Sequence, residues 1–183
     1  CLNVGCIPPK TFLRSARAFS DCHEAGRYGV TVGEPTLDMG AVQARKRQVV
    51  STLVKGVNAM LKGAKVEVIK GTAQIVAKGR VAGGGQEIEA ANILVATGSV
   101  PAVPPIPGIA ESAAVMDSTG ILELDRLPER LVVIGAGVIG LEFACFFAEF
   151  GTEVTVIEML DRIAPVLDAD IAKRLLRSEE HTS

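Results

Sequence analysis

An α/β chain is predicted, and three observations carry the prediction. Two cysteines separated by four residues (Cys1-Leu2-Asn3-Val4-Gly5-Cys6) stand just ahead of a Pro8-Pro9 helix start. Short alternating segments between Lys65 and Ala90, broken by Gly83-Gly84-Gly85, read as a β-meander. Leu131-Val132-Val133-Ile134 followed by Gly135-Ala136-Gly137-Val138-Ile139-Gly140 reads as a buried strand turning tightly into a helix.

Each element has a local reason. Pro8 and Pro9 fit the first turn of a helix, where a missing N–H costs nothing. Residues 11–19 keep the helical period, with Phe12, Ala16 and Phe19 on one face. Residues 26–40 are a loop punctuated by Gly29, Gly33 and Pro35. A long helix over 39–61 follows, ending near Gly63 and carrying Val42, Val49, Val50, Leu53, Val54, Val57 and Met60 at helical spacing. Its basic run Arg45-Lys46-Arg47 is expected on the solvated face. Strands are expected at 65–70, 71–77, 80–82 and 87–90. The apolar run 93–96 is expected to be a buried strand whose end, Thr97-Gly98, opens into a site. The Pro-rich stretch 101–108 is a stiff connector, dividing the chain into domains at 1–110 and 111–176. In the second, strand 131–134 leads to a helix over 141–150, closed by Gly151. A second strand, 154–157, ends at Glu158.

Composition excludes several classes. With 183 residues and 48% hydrophobic content there is enough apolar material for a core. A net charge of −2 leaves no electrostatic footprint for nucleic acid or an anionic membrane. No apolar stretch approaches the length of a membrane span. Four cysteines, only two of them close together, do not make a secreted disulfide framework. A cytoplasmic redox enzyme fits better, with an organellar matrix still open because a targeting segment would precede Cys1. A chain that starts on a reactive-looking thiol, with no initiator Met, is expected to be a piece of a longer protein.

Two constellations carry chemistry. Cys1 and Cys6 can bond if the chain between them turns, and Gly5 supplies a permissive backbone. A thiolate just before a helix N-terminus is favoured by the positive end of the dipole. The alternatives are inert buried cysteines or half a zinc site. Zinc would need two further ligands, and Cys22, His23 and Cys145 show no paired spacing, so no metal is expected. In the second constellation Gly135 makes the turn, Gly137 admits a pyrophosphate to the backbone, and Gly140 lets helix and strand pack closely. The helix N-terminus meets the phosphate charge. Glu158, eighteen positions after Gly140, would accept hydrogen bonds from a ribose 2′-hydroxyl and repel a 2′-phosphate. NAD(H) is therefore favoured over NADP(H). The alternative is an ordinary tight strand–helix turn.

The segments CLNVGCIPPK, ILVATGS, and LVVIGAGVIGLEFA with VTVIEML occur in that order. On them the chain resembles the flavin-dependent disulfide reductases, and among these the dihydrolipoamide dehydrogenases most. The resemblance runs from Cys1 to about Leu176, with Pro9 a departure where the family usually has Ser. It implies a partial FAD-binding domain with an inserted β-meander over 1–110, then the start of a Rossmann-like NAD-binding domain over 111–176. Residues 177–183 resemble the translation of a sequencing-library adaptor and are expected to be a non-native tail. The FAD pyrophosphate fingerprint is expected ahead of Cys1. A second FAD segment and a dimerisation domain with a His–Glu base are expected after Ser183, since neither His23 nor His181 stands in a matching context.

The resemblance also implies roles. Cys1 matches the thiol that exchanges with substrate, and Cys6 the thiol beside the flavin. Lys10 matches a lysine near the flavin that pairs with a glutamate matching Glu142. The backbone of Ala73 would contact the FAD adenine, and Thr97, Gly98 and Ser99 a further part of FAD. NAD would lie on Gly135, Ala136, Gly137, Val138, Ile139, Gly140, Leu141 and Glu142, with Glu158 on its ribose. The implied reaction is oxidation of a dihydrolipoyl group on a carrier protein of a 2-oxoacid dehydrogenase or glycine cleavage complex, by a homodimer with FAD and NAD⁺. The competing readings are a mercuric- or glutathione-type reductase and a non-catalytic dinucleotide-binding module. Glu158 argues against the NADPH-using members.

Overall fold

The computed structural model describes residues 1–180, with side chains as far as Arg177. In chain order the elements are α1 (Ile7–Glu24), a 3₁₀ turn (Ala25–Tyr28), α2 (Met39–Gly63), β1 (Ala73–Ala77), β2 (Arg80–Gly83) and β3 (Gln86–Glu89). Then come a second 3₁₀ turn (Gly120–Glu123), β4 (Arg130–Ile134), α3 (Val138–Glu149), β5 (Glu153–Ile157) and α4 (Ala169–Glu180). The α/β expectation holds. The chain divides into two compact units: Cys1–Leu53 together with the chain from Val103 on, and Val54–Ala102.

In the first unit, α1 carries Pro8 and Pro9 in its first turn, directly after Ile7, and Thr11 Oγ1 donates to the Pro8 carbonyl at 2.7 Å. Its inner face is the expected one. Phe12 is buried and stacks on Phe146 of α3 with ring centroids 4.7 Å apart, and Phe19 meets Phe150 at 4.8 Å. Each fully buried phenylalanine is worth roughly 1.5–3 kcal/mol. The core joins Phe12 and Ala16 of α1, Met39 and Val42 of α2, Ile121 and Leu122 of the 3₁₀ turn, and Phe143, Phe146 and Phe147 of α3. This core crosses the division expected at residue 110, because aromatic contacts between α1 and α3 bind the two ends of the chain together.

The start of α2 is capped by Asp38, whose Oδ1 accepts the Ala41 N–H at 2.9 Å. One sequence expectation is overturned here. Lys46 is 4% exposed, not solvated: it falls on the stripe Met39, Val42, Lys46, which packs inward. Strands β4 and β5 pair in parallel, Arg130 opposite Glu153 through Ile134 opposite Ile157, with α3 as the crossover. This is the expected strand–turn–helix–strand unit. Helix α4 runs on to Glu180, so residues 177–180 continue a helix, while 181–183, including His181, lie outside the described residues.

The second unit holds the meander β1-β2-β3, all antiparallel. Gly83 pairs with Gln86, and Gly84 and Gly85, at φ 59° and 80°, make the two-residue turn that non-glycine residues resist. Two expected strands are absent. Residues 66–70 are irregular, with Val66 and Val68 exposed, and the run 93–96 is irregular, with Leu94 91% exposed. A strand buried on both faces needs neighbours to take its N–H and C=O groups, and none of the described residues pairs with either segment. No helix among the described residues is long and apolar enough to cross a membrane.

Candidate active site

Chemistry converges on the N-termini of α1 and α3. Cys6 is the N-cap of α1, and the chain before it folds back so that the Cys1 carbonyl accepts the Ile7 N–H at 3.0 Å. Gly5 makes this closure feasible: a Cβ there would lie 2.8 Å from Cys1 Cα, inside contact distance. Cys1 and Cys6 are both free thiols and both exposed, at the open end of a helix whose dipole favours negative charge. One turn along, Lys10 N–H donates to the Cys6 carbonyl at 3.4 Å, so the lysine shares the turn that carries the thiol.

Lys10 Nζ donates to Glu142 Oε1 of α3 at 2.5 Å. The Lys10 side chain is 57% exposed and that of Glu142 24%, so the pair sits at the rim of the helix interface. The same two helices are joined by the Phe12–Phe146 stack, two positions along α1 and four along α3.

The glycine-rich turn is closely packed at Gly140 and open at Gly137. Gly135 stands at φ 102°, a left-handed backbone, and its N–H donates to the Ile157 carbonyl at 2.8 Å. A Cβ on Gly140 would lie 2.3 Å from the Gly135 carbonyl oxygen and 3.0 Å from Val133, so only glycine lets helix and strand approach this closely. Gly137 faces open space, with nothing within 4 Å of where a Cβ would be. It caps α3 in extended conformation, and the first intrahelical bond runs from Leu141 N–H to its carbonyl. The amides of Val138, Ile139 and Gly140 at the helix start therefore have no helical acceptor and are available to an anion.

Glu158 directly follows β5, beside this turn. Its Oε2 accepts the Ala136 N–H at 2.8 Å and its Oε1 the Leu160 N–H at 2.9 Å. Those amides, Leu160 first, hold the carboxyl below its ordinary value. Each oxygen keeps a lone pair for a further donor.

The pyridine nucleotide-disulphide oxidoreductase family pattern matches residues 1–181. The chain belongs to this family. The dihydrolipoyl dehydrogenase of Mycoplasma genitalium is 42% identical over 182 residues, 97% of this chain and 40% of that protein. That of Acholeplasma laidlawii is 42% identical over 175 residues, 93% of this chain and 52% of that protein. The HOCl-induced flavoprotein disulfide reductase RclA from Escherichia coli superposes with a TM-score of 0.80 at 34% identity, covering all of this chain and 38% of that one. The chain thus spans about two fifths to a half of the length of its relatives.

Membership of the pyridine nucleotide-disulphide oxidoreductases implies a flavin, and the residues present fit part of such a site. Ala73 opens β1, an edge strand with one side of its backbone unpaired. Thr97, Gly98 and Ser99 are exposed, and Gly98, at φ 78°, has nothing within 4 Å of a Cβ. The unpaired strand edge at Ala73 and the open backbone at Gly98 leave room for close approach by a ligand. The two segments belong to the unit Val54–Ala102, whereas Cys6, Lys10 and the glycine-rich turn belong to the other.

Sequence reasoning missed Gln43 and Lys46. Lys46 Nζ donates to the Leu122 carbonyl and to Glu123 Oε1, both at 2.6 Å, and lies 6.0 Å from the centroid of the Phe12 ring. Gln43 Nε2 donates to the carbonyls of Leu122 and Leu124, while its Oε1 is buried without a partner. The signal was position: Gln43 and Lys46 fall on the same buried face as Met39 and Val42. Ala164 was also missed, and only Pro165 after it marks the place.

Proposed function

We propose that this pyridine nucleotide-disulphide oxidoreductase is part of a dihydrolipoyl dehydrogenase, in which Cys1 and Cys6 form the redox-active disulfide. The observation that carries this reading is the closed loop of two exposed thiols on the N-terminus of α1, with Lys10 one turn away and paired to Glu142. The identity of about two fifths to dihydrolipoyl dehydrogenases supports the substrate.

In the oxidised protein, a thiolate of the dihydrolipoyl group attacks Cys1 Sγ and forms a mixed disulfide. Cys6 leaves as a thiolate, stabilised at the helix N-terminus. The second substrate thiol displaces Cys1, the lipoyl disulfide departs, and two electrons stay on the Cys1–Cys6 dithiol. FAD, when bound, would supply the two-electron relay from that dithiol to NAD⁺, so that dihydrolipoyl and NAD⁺ would become lipoyl, NADH and a proton. Lys10 and Glu142 keep a fixed charge pair beside the dithiol turn. The glycine-rich turn from Gly135 to Gly140, with Leu141 and Glu142 following, positions the NAD pyrophosphate, and Glu158 accepts from the ribose 2′-hydroxyl. Ala73 and Thr97, Gly98 and Ser99 would contact FAD. In this reading residues 1–110 and 111–176 are partial FAD- and NAD-binding domains, 177–183 is a non-native tail, and the whole protein is a cytoplasmic homodimer serving a dihydrolipoyl carrier protein.

The likeness to the flavoprotein disulfide reductase of Escherichia coli favours a second reading, a related reductase with a different disulfide partner. Free-thiol titration of the full-length protein before and after NADH tests the common core. Two new thiols and a long-wavelength flavin–thiolate absorbance are expected. Cys6→Ser should remove that band, and Cys1→Ser should keep it while abolishing turnover. Turnover with dihydrolipoamide then separates the two readings. Thiols indifferent to NADH would sink both.

A further inference from the structure

The polypeptide after β5 returns to the glycine-rich turn and grips it at one residue. Ala136, the residue between the first two glycines, is fully buried. Its N–H donates to Glu158 Oε2 at 2.8 Å, and its carbonyl accepts the Ala164 N–H at 2.7 Å. Both backbone polar groups of that residue are therefore held from the same segment. The segment is itself tied down: Leu167 N–H donates to the Ala164 carbonyl at 2.9 Å, and Arg162 Nη2 to the Pro165 carbonyl at 2.7 Å. Ala136, Leu141 and Ala164 form a small buried cluster, with Ile163, Leu167 and Leu175 packed around it.

Ala164 occupies a backbone conformation its chemistry disfavours. It stands at φ 44°, in the left-handed region that an L residue with a Cβ resists. It also precedes Pro165, and a residue before proline is pushed toward extended conformations. Its side chain is fully buried, so the surrounding packing enforces the geometry. Strain of this kind persists where the structure over-determines a residue, and it clusters at binding sites.

We propose that Ala164 is a positioning residue for the dinucleotide. Its left-handed turn aims its N–H at the Ala136 carbonyl, and together with Glu158 it preforms the glycine-rich turn before nucleotide arrives. Preforming the turn removes the ordering cost of binding. The inference rests on the dinucleotide reading above and adds what holds that site in shape. Arg162 and Leu167 are the outer ties of this strap.

NADH affinity of the full-length flavoprotein, read by quenching of nicotinamide fluorescence, provides the test. Ala164→Gly adopts φ 44° freely and should bind within about threefold of wild type, since the hydrogen bond is kept. Ala164→Val, β-branched and intolerant of positive φ, should bind roughly tenfold more weakly, with kcat at saturating NAD⁺ changed far less than KM. Equal affinity for wild type and Ala164→Val overturns the proposal. Hydrogen exchange in nucleotide-free wild type covers the case in which Ala164→Val fails to fold. Slow exchange at Ala164, whose N–H bonds the Ala136 carbonyl, supports the strap, and exchange at the unstructured rate overturns it. A wild type that binds no NADH overturns the dinucleotide reading instead, and the exchange result then decides the strap by itself.

Discussion

Lys10 and Glu142, 132 positions apart in sequence, meet at 2.5 Å across α1 and α3, the two helices that the Phe12–Phe146 stack also joins. The ion pair is the visible contact, and the aromatic stack is what brings α1 onto α3. An ion pair at a solvated rim contributes little to stability, whereas two phenylalanines buried to the last atom contribute much. Stability and function are therefore expected to separate at this interface.

Lys10→Met and Glu142→Gln should each change unfolding free energy by less than about 1 kcal/mol. Phe12→Ala or Phe146→Ala should cost ~3–5 kcal/mol. Urea denaturation of the four variants checks the contrast. A Glu142→Gln variant destabilised as much as Phe146→Ala would show that the ion pair holds the helices.

Gly137 and Gly140 make opposite predictions for the same substitution. Gly137→Ala meets open space and should melt with the wild type, yet its methyl group stands where a phosphate would approach. NADH affinity should fall about tenfold, ~1.4 kcal/mol. In Gly140→Ala the added carbon overlaps the Gly135 carbonyl oxygen, so stability should fall as well. Calorimetry and NADH titration on both variants separate the effects.

Glu158 links stability to pH. Amide hydrogen bonds from Leu160 and Ala136 depress its carboxyl below the ordinary 4.5 in the folded protein. Its contribution is therefore fully present above that value and is lost as pH falls through the lower, folded-state value. Wild type should melt above Glu158→Gln near neutral pH, with the gap closing on the acid side of pH 4.5. A gap that stays constant into acid would show that the carboxylate makes no net use of those amides.

Lys46→Met keeps the apolar stem and removes the ammonium. Leu122 keeps its bond from Gln43, and Glu123 is left solvated, so the loss should be about 1–3 kcal/mol. Thermal melts check this. A stabilised variant would mean that desolvating the ammonium outweighs its two hydrogen bonds and its approach to the Phe12 ring.

Helix periods, paired prolines and the spacing of three glycines are local signals, and they carried α1, α2, the meander and the βαβ unit. Cys1, Cys6 and the glycine-rich turn were legible as candidates for the same reason, each resting on its neighbours in sequence, whereas the bond from Ala136 to Glu158 spans 22 positions. The run 93–96 was not, since hydrophobicity says what a strand prefers but not whether a neighbouring strand is there to pair with it.

What the amino-acid order determined alone was which segments coil, where the meander and the βαβ unit fall, and where backbone without side chains is needed. Only tertiary structure decided that Lys46 lies inside, that Lys10 reaches Glu142, and that Ala164 is forced left-handed to hold Ala136. Those outcomes depend on which surfaces pack together. A charged or strained residue is tolerated only where distant groups meet its hydrogen bonds or fix its backbone, and no window of neighbouring residues contains that information.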